Sequence, residues 1–204
     1  MELTRLTLNI NDRHARADLA DPYEMHRSLS RAFATAEGSP IPRFLWRVEV
    51  GSPTAPPHVL VQSEVAGQWE AFSAAKPGWT SSIANRSFDP SIFVNNGHSF
   101  AFRLQANPSV KRNGKRWGLQ KSEQHIEWLK KQGLRCGFEI SSVDPSPVKR
   151  LVGRRDKGKN RITIDAVVFN GSLTVTDKDL FKKTLSNGIG HGKSMGMGLL
   201  SLAP

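Results

Sequence analysis

Strand-like alternation and helical periodicity succeed one another so that each half of this chain approximates one element order, β-α-β-β-α-β. That order restricts the fold more than any other feature. Leu3–Ile10 alternates apolar and polar residues as a half-buried strand does. A helix is predicted from Pro22 to about Ala36. Asp21 is a good N-cap, Pro22 suits the first helical position, and Glu24 falls three residues after the cap. Met25, Leu29 and Phe33 recur at four-residue spacing, as core-facing positions do. Phe44–Val50 and His58–Glu64 read as strands joined by a turn-rich stretch, and Gln68–Ala75 as a short helix. Residues 76–97, rich in Pro, Gly, Ser and Asn, read as a connection.

The second half repeats the theme. His98–Ala106 alternates, with Phe100, Phe102 and Leu104 on one face. Ser122–Gln132 reads as a helix with Ile126 and Leu129 inward. Arg135–Val143, Ile162–Phe169 and Ser172–Val175 read as strands, Thr176–Leu185 as a helix capped by Thr176 or Asp177, and Met195–Leu202 as a closing strand. The expected class is α+β, with two tandem ferredoxin-like (RRM-like) β-α-β-β-α-β domains at 1–88 and 89–204.

Charge separates the halves. The net charge of the 204 residues is +11. Residues 1–100 hold 9 Lys/Arg against 10 Asp/Glu, and residues 101–204 hold 20 against 8. A polyanionic partner gripped mainly by the second half is expected. Two clusters stand out. Lys111, Arg112, Lys115 and Arg116 follow a strand directly. Lys149, Arg150, Arg154, Arg155, Lys157, Lys159 and Arg161 surround the turn signals Gly153 and Gly158, as in a hairpin or loop. Such ribbons suit the phosphates of structured RNA. Cys136 is the only cysteine, which excludes an internal disulfide framework and a Cys-based zinc site; a buried thiol is expected. The N-terminus has a strand pattern and not that of a signal peptide, and no apolar run reaches the ~20 residues of a membrane span. A soluble cytoplasmic protein without a membrane partner is the expectation.

Asn187–Ser194, Asn-Gly-Ile-Gly-His-Gly-Lys-Ser, nearly spells a Walker A loop. It lacks the first glycine and leaves too little chain for the long helix such a loop must open. ATP is therefore not expected as a ligand. Gly188, Gly190, Gly192, Gly196 and Gly198 instead allow close approach of backbone to a phosphate chain, with Lys193 as a donor.

The helix at Pro22 carries chemistry. Tyr23, His26, Arg27 and Ser30 fall along a polar stripe beside the apolar one, and Arg31 follows. A helix N-terminus attracts anions, and imidazole has a pKa near neutrality. His14, His58, His98, His125 and His191 show no metal-ligand spacing, and Asp21 and Glu24 have capping roles, so neither a metal nor another cofactor is expected. Metal-free RNA cleavage uses the 2′-hydroxyl as nucleophile and needs a proton acceptor, a proton donor and a stabiliser of phosphorane charge.

With these pieces the chain resembles the precursor-crRNA endoribonucleases of type I-E CRISPR systems, the CasE subunits of Cascade, within the RAMP superfamily. The resemblance rests on the strand Leu3–Ile10, the motif Asp21-Pro-Tyr-Glu-Met-His-Arg27, the basic segment near 149–161 and the ending Gly188–Pro204 with its five glycines. It runs end to end. It implies two ferredoxin-like domains, metal-independent cleavage at the base of the repeat hairpin, retention of the 3′ hairpin, and partnership with other Cascade subunits. It matches His26 to the catalytic histidine and Tyr23 to its partner. Whether His26 is base or acid stays open at this level. A non-catalytic RNA-binding RAMP subunit is the alternative.

Overall fold

The computed structural model of the chain describes residues 1–34, 40–51, 55–155 and 160–203. It is a mixed α/β structure with antiparallel sheets. Two compact units divide it: Met1–Phe88 with Val152–Ile162 and Ser194–Gly196, and Asp89–Leu151 with Thr163–Lys193 and Met197–Pro204.

In the first unit β1 (Glu2–Leu8) leads to a helix pair, α1 (Arg13–Ala20) and α2 (Pro22–Ser30). The Asp12 carboxylate caps α1 by accepting from the Ala15 N–H at 2.8 Å. After Ser30 the backbone tightens to a 3-10 turn at Arg31–Phe33, so α2 is shorter than its periodicity suggests while Phe33 stays buried. Then come β2 (Phe44–Glu49), β3 (His58–Ser63), α3 (Trp69–Ala75) and β4 (Thr80–Ser87), in a sheet of order β2-β3-β1-β4. The stretch read as a connection thus contains a strand. β4 is an edge strand with mostly exposed side chains, so it lacks apolar alternation; backbone pairing with β1, Leu6 opposite Ile83, makes it a strand. Leu6, Leu8, Met25, Leu29, Phe33, Trp46 and Val61 belong to the core of this unit.

In the second unit α4 (Pro90–Phe93) precedes β5 (Ser99–Ala106). A separate two-stranded ribbon follows, β6 (Ser109–Arg112) and β7 (Lys115–Gly118). Helix α5 (Ser122–Cys136) continues four residues beyond expectation and stops at Gly137, whose φ of 78° only glycine adopts readily. Arg135 therefore lies in the last turn of a helix and does not start a strand. The inward face of α5 carries His125 and Trp128 with Leu129, while Ile126 is half-buried. Cys136 is half-buried, not enclosed.

Strand β8 (Phe138–Pro145) is followed by β9 (Lys149–Arg155) and one long β10 (Asn160–Val175), where two strands were expected. β10 runs on through Gly171, where β8 approaches so closely that a Cβ would lie 2.1 Å from the Ser142 carbonyl oxygen. Helix α6 (Lys178–Asn187) is capped by Asp177, and the closing strand β11 spans only Leu200–Ala203. The main sheet has the order β11-β5-β10-β8, with β9 paired to β10. Counting β5, β8, β10 and β11 as first to fourth, this is the order of the first sheet.

Candidate functional site

Helix α2 exists because Asp21 starts it. The buried Asp21 carboxylate accepts from the Tyr23 N–H at 2.9 Å and the Glu24 N–H at 3.5 Å. Those amides are therefore occupied, and the helix N-terminus does not present them to an anion as the sequence had suggested. Asp21 does a second job. Its Oδ2 accepts from the Arg154 backbone N–H at 3.0 Å, which ties the basic strand to the start of α2. Gly153 makes the approach possible: a Cβ there would stand 3.0 Å from Tyr23 Cβ and 2.7 Å from Met195 Cε.

Tyr23 and His26 sit one turn apart, both half-buried. The His26 ring stacks on Phe44, centroids 4.9 Å apart at 24°. Phe44 stacks on Phe33, and edge contacts continue through Trp69 and Phe72 to Trp79. His26 Nδ1 is buried with no hydrogen-bond partner among the described residues. Desolvation holds the His26 pKa below its usual 6.5, and the ring is neutral at pH 7.

Arg27 is exposed and pairs with Glu24 at 2.5 Å. Arg31 is exposed as well. Both line a cleft of about 720 Å³ together with Arg13, Asp18, Lys76 and Trp79. Tyr23 and His26 do not line it. Its floor is a buried network no local pattern foretold. Asp18 Oδ2 accepts from Ser28 Oγ at 2.6 Å, Trp79 Nε1 at 2.8 Å and Lys76 Nζ at 2.9 Å. Among the described residues these donors are internal, which marks the carboxylate as a structural clamp on α1 and α2.

The basic residues fall in two ribbons. Lys111, Arg112, Lys115 and Arg116 form the exposed β6–β7 ribbon, closed by Asn113 and Gly114 with φ of 49° and 76°. Lys149, Arg150, Arg154 and Arg155 are exposed on β9, and Arg161 is exposed on β10. Lys157 and Lys159 lie outside the described residues. Arg150 is engaged by Asp165 at 2.9 Å, which holds that carboxyl below the usual range.

In the glycine-rich segment Lys193 Nζ donates to the Gly190 carbonyl at 2.7 Å, so both are part of one turn. Gly190 and Gly192 have positive φ. Gly196 and Gly198 are buried, packed under the Trp46 ring and against the Ile189 carbonyl. His191, for which the sequence suggested no role, is mostly exposed, and partial desolvation of its ring together with the charges of Arg116 and Lys193 lowers its pKa. That places it with the cations of the β6–β7 ribbon. Among the described residues no group of three or more His, Cys, Asp or Glu forms a metal-binding cluster, and no helix is long and apolar enough to cross a membrane.

The sequence matches the family described as CRISPR associated protein over residues 1–204. The CRISPR-associated endoribonuclease Cse3 of Thermus thermophilus is 36% identical, with 100% of each chain covered. The CRISPR system Cascade subunit CasE of Escherichia coli is 30% identical over 93% of this chain and 96% of its own length. A structure of the endoribonuclease Cse3 bound to 19-nucleotide RNA superposes with a TM-score of 0.89 at 36% identity, covering both chains in full. The chain belongs to the CRISPR-associated protein family.

Proposed function

We propose that this chain is an endoribonuclease that cuts precursor CRISPR RNA at the base of the repeat hairpin and keeps the hairpin as a subunit of Cascade. Its fold is read as two ferredoxin-like domains, 1–88 and 89–204, a reading supported by the equal strand order of the two sheets. The observation that carries the function is the pairing of Tyr23 with a neutral, desolvated His26 on a helix whose cap also holds the Arg154 backbone. Relatives named as endoribonuclease and as Cascade subunit, and a relative bound to RNA, support the substrate class.

The reaction needs no metal in this reading. With Nδ1 enclosed, Nε2 of His26 is the nitrogen that exchanges protons, and as a neutral base it takes the proton of the 2′-hydroxyl. The 2′-oxygen attacks phosphorus, the bond to the 5′-oxygen breaks, and that oxygen takes up a proton from water, to which the His26 imidazolium returns the one it accepted. The products are a 2′,3′-cyclic phosphate and a 5′-hydroxyl. The Tyr23 phenol orients the phosphate, and Arg27, exchanging Glu24 for the substrate, stabilises charge on the phosphorane. Exposed pairs such as Arg27–Glu24 are weak enough for that exchange.

The test incubates the protein with a repeat hairpin in EDTA. Site-specific cutting with a cyclic phosphate end is expected. A substrate with a 2′-deoxy sugar just upstream of the cut should bind and resist. Binding without cutting would favour a non-catalytic RNA-binding subunit, and normal cutting of the deoxy substrate would exclude 2′-hydroxyl attack.

A further inference from the structure

Ser109–Gly118 contains four cations and no acidic residue. The register sets Lys111 opposite Arg116 and Arg112 opposite Lys115, so the ribbon folds with two like-charged cross-strand pairs. Like charges directly opposite oppose pairing, and a lone two-stranded ribbon is marginal to begin with. The ribbon's composition therefore works against its own stability until an anion screens it. Among the described residues no ion pair reaches Lys111, Arg112 or Lys115.

The two faces of the ribbon differ. Residues two apart share a face, so Ser109, Gly118, Lys111 and Arg116 lie on one, and Val110, Trp117, Arg112 and Lys115 on the other. The first face rests on the body of its unit. Ser109 is buried, Arg116 reaches Ser109 Oγ at 3.3 Å, and a Cβ on Gly118 would lie 2.9 Å from Asp165 Oδ2. The second face carries Trp117, 57% exposed, with no ring contact to any described residue. The indole lies opposite the half-buried Val110 and beside the Arg112–Lys115 pair at the ribbon tip, with more than half its surface open. Its chemistry fits a nucleobase on the ring and phosphates on Arg112 and Lys115.

We propose that Trp117 is an RNA-positioning residue that stacks on an unpaired nucleotide flanking the hairpin stem. The inference rests on the reading of this chain as an RNA-processing enzyme. Bases inside a stem already stack on both faces, and the narrow major groove of an RNA helix does not expose them to a side chain. Loop bases are constrained by the closed turn and by stacking on one another. A nucleotide flanking the stem has a free π-face and a mobile backbone, and clamping it fixes the register in which the stem is held.

The experiment compares wild type with Trp117→Ala and Trp117→Phe, on a blunt stem-loop and on the same stem-loop with single-stranded flanks. Two probe RNAs carry 2-aminopurine in the flank or in the apical loop. Loss of one stacked base corresponds to about 5- to 150-fold weaker binding. Trp117→Ala should show that loss on the flanked RNA only, with Trp117→Phe retaining most of the affinity. Wild type should quench the flank probe, and Trp117→Ala should not. Equal affinity of wild type and Trp117→Ala for flanked RNA, equal losses on blunt and flanked RNA, or quenching confined to the loop probe would each overturn the assignment. If wild type binds neither RNA, the RNA-processing reading itself fails, a result distinct from those three.

Discussion

His26 ends an aromatic run that starts at Trp79, so its ring is held on one side by Phe44 and kept partly out of water. Burial lowers its pKa below the usual 6.5, which favours the neutral form the proposed base needs. His26→Ala should slow single-turnover cleavage by at least the ~10²-fold typical of a lost acid–base group, with hairpin affinity nearly unchanged. The pH profile gives the sign of its role. A base must be unprotonated, so the rate should rise with pH through a midpoint below 6.5 and be flat near pH 7. A rate that falls across that range would make His26 the acid. Stability follows the same linkage. The unfolded ring binds more protons than the folded one, so the contribution is complete above about pH 6.5 and is lost as pH falls through the lower folded value. His58 and His191 shift the same way, with burial the largest cause. Histidine identity and helical position were legible in the chain. The desolvation was not, because Phe44 reaches His26 from another element.

At the scale of elements, α2 and the strand at Arg154 share one carboxylate. Asp21→Ala removes the helix cap and also strands the Arg154 N–H. The two losses together should destabilise the protein by about 2–4 kcal/mol. Asp21→Asn keeps an acceptor oxygen and should lose less. Denaturant unfolding ranks the three proteins, and cleavage assays should show activity falling in the same order, since Tyr23 and His26 ride on the capped turn. Equal stability of Asp21→Ala and wild type would show the shared carboxylate to be dispensable. The capping role was visible from Asp-Pro-x-Glu, a local pattern. The bond to Arg154 spans 133 residues and leaves no mark on local spacing. The same holds for Asp18, which gathers Ser28, Lys76 and Trp79 from three places in the chain.

Across the whole molecule the positive charge lies in residues 101–204 and the candidate catalytic helix in the first hundred. A stem held by the basic ribbons keeps most of its phosphate contacts after the cut. Turnover should therefore stop near one equivalent of product per protein at low salt, because affinity of this kind is expressed mainly in slow dissociation. Excess substrate over limiting enzyme tests this: sustained turnover without a burst would show free release. The strand Leu3–Leu8, the cap and apolar face of α2, the strand pair β2 and β3 and the distribution of charge were determined by the sequence alone. Each is written in periodicity, in capping residues and in counts that a short window contains. Tertiary structure decided the rest: that β4 is a strand, that Gly196 and Gly198 are buried, that His26 is dry, and that Asp21 holds Arg154. Those outcomes depend on backbone pairing and on burial by distant residues, and burial is a property of the folded surroundings that no local window carries.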